Sequence, residues 1–179
     1  MITQAGIFLL DVIVGFLTVA LLLRFYMQAF RVSFANQLGA FVVQITDWLV
    51  KPLRRILPGL FGLDLASLLP AYLLQVVLVF AVFSLRGVLS IVDTERLIIA
   101  LLWQGALATL RISLYLLMGV LLLQVILSWV SPYSPLAPPL ARLTRPFLAP
   151  IQRVMPPIAG IDLSPLIATV FLQLILMFL

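Results

Sequence analysis

Residues 46–64, TDWLVKPLRRILPGLFGLD, return at residues 144–162 as TRPFLAPIQRVMPPIAGID, and the correspondence runs without a gap to residues 78 and 176. The offset is 98 positions, and 11 of the 33 aligned residues are identical. They are Thr46/Thr144, Pro52/Pro150, Arg55/Arg153, Pro58/Pro156, Gly62/Gly160, Asp64/Asp162, Leu65/Leu163, Leu68/Leu166, Leu74/Leu172, Gln75/Gln173 and Leu78/Leu176. An internal repeat constrains architecture before any local pattern does, because both copies must build the same unit. It also lets one half of the chain be compared with the other.

The repeat is set in very apolar sequence. Of 179 residues 64% are hydrophobic and 9% charged, and the mean hydropathy is +1.27. A water-soluble domain carries about 25% charged residues, so the composition predicts a polytopic helical membrane protein. There is no cysteine and no histidine, which removes disulfides, thiolate chemistry and the commonest general base and metal ligand. The net charge of +5 comes from 11 basic and 6 acidic residues. In a membrane chain such an excess reports orientation and lipid headgroups rather than nucleic acid.

A span takes about 20 apolar residues. Residues 7–30, 65–85, 112–130 and 163–179 fit, with Asp11 and Arg24 the only charges in the first and none in the second. Nothing basic precedes Arg24 and Asp11 interrupts the apolar run, so the start reads as a first transmembrane helix and not a cleaved signal. Residues 97–110 lie between Arg96 and Arg111. They would span about 21 Å as a helix, which is short for a crossing and predicts an interfacial or re-entrant helix. The division is then 1–92 for the first repeat, 93–111 for the linking helix and 112–179 for the second repeat. If 97–110 does not cross, the repeats are parallel. If it does cross, they are inverted, as in many transporters.

Connector 31–63 carries Arg31, Lys51, Arg54 and Arg55 against Asp47, and connector 131–161 carries Arg142, Arg145 and Arg153 with no acid. Residues 86–111 carry three arginines with Asp93 and Glu95. The positive-inside rule therefore favours cytoplasmic connectors, with both termini outside. Gln44, Asp47, Lys51, Arg54 and Arg55 form one helical stripe opposite Phe41, Trp48, Leu49, Leu53 and Ile56. That pattern describes an amphipathic helix in the headgroup plane. Pro52, Pro146 and Pro150 are expected to break each connector into two short pieces.

The doubled pattern Thr-x5-Pro-x2-Arg-x2-Pro-x3-Gly-x-Asp, each copy followed by an apolar helix, resembles the YggT family, also called YlmG. The second copy, with Leu143 to Pro156 and Gly160 to Pro165, carries the closer match. The first departs from it, with Asp47-Trp48 where Arg145-Pro146 stands and Ala66-Ser67 where Ser164-Pro165 stands. The resemblance covers nearly the whole chain and implies a bacterial inner-membrane protein. It also implies links to osmotic and potassium homeostasis, cell division or, in plastids, cytochrome b6 maturation.

The motif residues Pro52, Arg55, Pro58, Gly62 and Asp64, and Arg142, Arg145, Pro150, Arg153, Pro156, Gly160 and Asp162, are the candidate interface set. Each also has a structural reading. Ser164 with Pro165, and Asp64 with Ser67, would start helices. Gly62 and Gly160 would permit turns. Arg55 and Arg153 would pair with the aspartates or meet lipid phosphate. Asp11, Arg24, Gln75, Arg111 and Gln173 are polar residues within apolar segments, and such residues are functional candidates. Gln75 and Gln173 read as interhelical glue or a polar path. Upstream of the connectors the repeats align at an offset of 100, which places Asp11 opposite Arg111 and Arg24 opposite Gln124. An Asp11–Arg111 ion pair follows as an expectation, against snorkelling of both to the interface.

No acid–base pair at a fixed spacing stands out among the six dispersed acids, so an enzyme, a cofactor and a metal are not expected. The favoured role is a membrane scaffold or assembly factor presenting basic connectors to anionic headgroups or to a membrane or cytoplasmic protein. A component of an ion (potassium) transport or osmotic-stress system is the alternative, and conduction through so thin a bundle would need a homo-oligomer.

Overall fold

The computed structural model describes residues 2–57, 64–90, 93–131, 133–155 and 162–179. Among these the chain is all helical: α1 (Ile2–Ala29), α2 (Gln37–Ile56), α3 (Leu65–Leu85), α4 (Thr94–Val130), α5 (Ala137–Val154) and α6 (Ser164–Phe178). A 3-10 turn (Val88–Ser90) lies between α3 and α4. Three of them, α1, α3 and α4, are long and apolar enough to cross a membrane. The fourth apolar helix, α6, has 15 residues and a length of about 22 Å.

α4 corrects the expectation of a separate linking helix. Residues 97–110 are the first part of one 37-residue helix, about 55 Å long. Nothing between Arg96 and Ser113 stops it: there is no proline, and the one glycine, Gly105, is used for packing. A Cβ on Gly105 would lie 2.4 Å from the Val76 side chain and 3.2 Å from its Cα, so glycine lets α3 and α4 approach closely.

The connectors also differ from expectation. α2 and α5 are each continuous, with Pro52 inside the first and Pro146 and Pro150 inside the second. A proline removes one donor and presses on the carbonyl four residues back. Where neighbouring turns remain bonded, that bends a helix instead of ending it. α1 stops at a left-handed residue, Arg31 (φ 53°), where the Val32 N–H reaches back to the Met27 carbonyl at 2.7 Å. That is the wrapped end of a Schellman motif. α2 then starts on Asn36, whose side chain accepts from the Gly39 N–H at 2.8 Å. A Cβ on Gly39 would meet the Phe34 Cα at 2.5 Å.

Contact order gives the directions. Thr18 bonds Gln75, while Leu21 and Leu22 pack in one cluster with Ala66 and Ala71, so α1 and α3 are antiparallel. Val76 faces Gly105 and Ala66 and Ala71 cluster with Ile112 and Leu116, so α3 and α4 are antiparallel. Arg111 meets Leu179 and Leu121 and Leu122 border Pro165 and Leu166, so α4 and α6 are antiparallel. α1 and α4 therefore point the same way, as do α3 and α6. α2 packs through Val50 on the α1–α3 pair, and α5 through Leu148 on the α4–α6 pair.

Candidate functional site: two polar connector junctions

The end of α1 carries Arg24 into a nearly closed space, 4% exposed. One guanidinium nitrogen, Nη1, donates to Thr46 Oγ1 at 2.7 Å and to Asp47 Oδ1 at 2.9 Å, both on α2. Thr46 passes its own proton to the Val42 carbonyl, 2.6 Å away, so the threonine is oriented as an acceptor. Lys51, one turn on, closes a second ion pair with Asp47 at 2.7 Å. Lys51 and Arg24 together hold the Asp47 carboxyl below its ordinary value of 3.8, against the opposing effect of burial. Arg24 Nε has no hydrogen-bond partner among the described residues, so the whole charge rests on this junction.

A second tie joins α2 to the start of α3. Arg54 Nη2 meets Asp64 Oδ2 at 2.5 Å and also donates to Gln28 Oε1 of α1 at 2.8 Å. Asp64 is the N-cap residue of α3, buried, and its Oδ2 also accepts from Ser67 Oγ at 2.7 Å. The expected partner was Arg55. It is Arg54 that reaches Asp64, because one residue on a helix rotates the side chain by about 100°; Arg55, exposed like Arg54, points elsewhere.

The second half makes the same two ties from different side chains. Thr144 Oγ1 donates to Gln124 Oε1, at the positions matching Thr46 and Arg24. Gln152, matching Arg54, donates to Asp162 Oδ2 at 2.8 Å. Asp162 Oδ1 also accepts the Ser164 N–H at 2.9 Å. Burial works against the charged form of Asp162, but the nearby Ser164 side chain and N–H and the Gln152 amide outweigh it and lower its pKa below 3.8. Ser164 is thus the first residue of α6 and not its cap; its Oγ is buried with no partner among the described residues.

The other candidates divide. Gln75 is buried, and its amide donates to Thr18 Oγ1 at 2.9 Å, as interhelical glue. Gln173 is exposed and unbonded among the described residues, because the residue matching Thr18 is Met118. The Asp11–Arg111 pair is not formed. Arg111 donates to the Leu179 carbonyl, and Asp11 is exposed with no partner among the described residues. The reason is register. Tyr26 bonds Ser113, 87 positions on, and Leu23 borders Leu116 and Val120. These contacts join positions 87 to 97 apart, so the halves are slipped from the 100-position equivalence by about one to three and a half turns. Pro52 and Pro150 are exposed within α2 and α5, and Arg55, Arg142, Arg145 and Arg153 are exposed. Those four arginine side chains carry no hydrogen bond or ion pair among the described residues. Pro58, Gly62, Pro156 and Gly160 lie outside the described residues.

Sequence reasoning passed over Thr46, Thr144, Gln28, Thr18 and Gln152 as bonding partners. The Thr46/Thr144 identity, read beside the Arg24–Gln124 match, was the available signal.

Helical architecture and composition define an all-helical membrane protein. The CCB3/YggT family model matches residues 3–85 and 103–179, and the chain belongs to that family. An Escherichia coli K12 protein named YggT is 37% identical over 169 residues, covering 94% of this chain and 85% of its own. A Pseudomonas aeruginosa protein is 37% identical over 176 residues, covering 97% and 87%. A Vibrio alginolyticus protein from the proC 3′ region is 38% identical over 167 residues, covering 93% and 88%. None of these names specifies an activity. No solved structure matches the chain.

Proposed function

We propose that this protein is a non-enzymatic scaffold or assembly factor of the bacterial cytoplasmic membrane. In this reading α1, α3, α6 and the spanning part of α4 cross the bilayer as two parallel tandem repeats. Both connector helices then lie at the cytoplasmic face. The directions of α1 and α4 favour the parallel arrangement over an inverted one.

The observation that carries the reading is the fate of the polar groups on α5. Asp47 and Lys51 of the first connector are consumed in the Arg24 junction. At the matching positions the second connector has Arg145 and Ala149, and no acid lies in residues 131–161. Arg142 and Arg145 therefore stand on the surface without an internal partner, as a cationic face held rigidly by the Gln124–Thr144 tie. Exposed arginines in a fixed array suit an acidic protein partner, which they engage by charge-assisted hydrogen bonds.

Purification of the full chain in mild detergent, with and without Arg142→Gln plus Arg145→Gln, tests this. The parent should retain a stoichiometric protein partner and the double variant, equally helical, should lose it. Equal co-purification from both would overturn the role of this face. Reporter fusions after residues 58 and 156 should fall on one side of the membrane. Opposite sides would overturn the parallel arrangement.

A further inference from the structure

The sequence repeat also duplicates a cleft. Leu49, Pro52 and Leu53 of α2 face Leu69, Leu73 and Leu74 of α3 across an apolar groove of about 420 Å³. Phe147, Pro150 and Ile151 of α5 face Ile167, Phe171 and Leu172 of α6 across another of about 370 Å³. Each residue of the first set matches one of the second at the 98-position offset. Both volumes lie in the range of small-molecule clefts, roughly 300–1,000 Å³. Both grooves open outward: Leu73 is 48% exposed and Phe171 63% exposed.

The groove linings are apolar, and on each connector helix a cation follows the groove's proline. Three residues after Pro52 comes Arg55, and three after Pro150 comes Arg153, so each arginine sits about 60° round the helix from its proline. On α2 that position divides two faces. Pro52, Trp48 and Ile56 form the outward apolar side, and Lys51, Arg54 and Asp47 the polar side. An arginine on that line in a helix at the bilayer surface sits at headgroup depth, with its apolar neighbours at chain depth. Neither arginine has a partner among the described residues, although the adjacent Arg54 and Gln152 are both bonded inward. The retained proline, arginine and groove thus go together in both halves, while the charges around them change.

We propose that each half binds one anionic glycerophospholipid, with an acyl chain in the groove and its phosphate on Arg55 or Arg153. Arginine suits the phosphate because its planar fork donates two parallel hydrogen bonds. An acyl chain suits grooves lined by aliphatic and aromatic side chains with almost no polar surface. The proposal rests on the reading that the connectors lie at the bilayer surface. It is separate from the protein partner assigned to Arg142 and Arg145.

Native mass spectrometry of the full chain, with added phosphatidylglycerol or phosphatidylcholine of matched chains, tests it. Two phosphatidylglycerol molecules per chain should be retained at concentrations where phosphatidylcholine is not. Arg55→Gln and Arg153→Gln should each remove one, and the double variant both, with helicity unchanged because both positions are exposed. Leu73→Trp, which fills the first groove, should remove one while leaving Arg55 in place. Equal retention of the two lipids would overturn the site but leave the surface location standing. Retention of no lipid at all, with release of the protein from membranes by alkaline carbonate, would overturn both. Phosphatidylglycerol preference unchanged by the arginine substitutions would place the phosphate elsewhere and overturn the assignment.

Discussion

In the first half of the chain, α1 is fastened to its connector by a buried cation, Arg24, shared between Thr46 and Asp47. In the second half the fastening is neutral, Thr144 to Gln124. The tie from connector to following helix repeats the contrast, Arg54–Asp64 against Gln152–Asp162. The threonine of the first tie and the aspartate of the second are kept, while the partner changes from a guanidinium to an amide and the threonine turns from acceptor to donor. What the unit requires is a hydrogen bond at each junction, and an amide meets that requirement as well as a guanidinium. Once the second half no longer needs an acid to neutralise a buried arginine, position 145 is free to become basic. Asp47, Lys51 and Arg54 of the first connector are tied into the bundle, whereas Arg142, Arg145 and Arg153 of the second are exposed.

The sharpest way to break this comparison is to remove the acid. Asp47→Ala leaves Arg24 buried and uncompensated and should cost on the order of 3–5 kcal/mol, read as a fall in thermal stability in mild detergent. Thr144→Val, the matching insult to the neutral tie, should cost about 1 kcal/mol. Adding Arg24→Gln to Asp47→Ala recreates the chemistry of the second half and should recover most of the loss. Equal effects of Asp47→Ala and Thr144→Val would end the distinction between the halves.

At the second tie the contrast should be smaller. Asp64→Asn removes a charged bond to Arg54, whose side chain is 43% exposed, and solvent screens part of its value. A loss of about 1–3 kcal/mol is expected for Asp64→Asn, against about 0.5–1.5 kcal/mol for Asp162→Asn. The same assay ranks them, and a larger effect at Asp162 would reverse the assignment.

Gln75→Leu should cost roughly 0.6 kcal/mol, the average for hydrogen bonds between membrane helices, because Thr18 loses the bond it accepts while keeping its own to the Val14 carbonyl. Gln173→Leu should leave the melting temperature unchanged. A comparable loss at Gln173 would mean that it is bonded in the membrane.

The smallest effect is expected with pH. Asp47 and Asp162 have folded pKa values below 3.8. Each therefore contributes stability that is complete above that value and is lost as pH falls through the lowered one. Stability should be flat from pH 6 to 8 and decline at the acid end. Asp47→Asn should flatten part of that decline.

Much of this was legible in the sequence. The 98-position repeat, the apolar runs and the basic stripe pointed to the helical membrane class and the amphipathic connectors. Asp64 and Asp162 were placed correctly at helix starts. The errors have physical causes. Proline was weighed as a breaker, but Pro52, Pro146 and Pro150 sit within α2 and α5, where packing holds the neighbouring turns. Arg54 and not Arg55 pairs with Asp64, because a periodic pattern gives a stripe without fixing which of two adjacent residues reaches a given partner. The Asp11–Arg111 pair assumed that equivalent positions share a depth.

By itself the sequence determined the all-helical class and its long apolar segments, because spacing and composition are properties of the chain alone. The tertiary structure alone decided the axial slip between the halves, since that depends on how side chains interlock between α1 and α4. It likewise decided that residues 97–110 continue into α4 and that Gln75 is bonded while Gln173 is not. A partner is supplied by a neighbouring helix, and its distance and depth are fixed only when the helices pack.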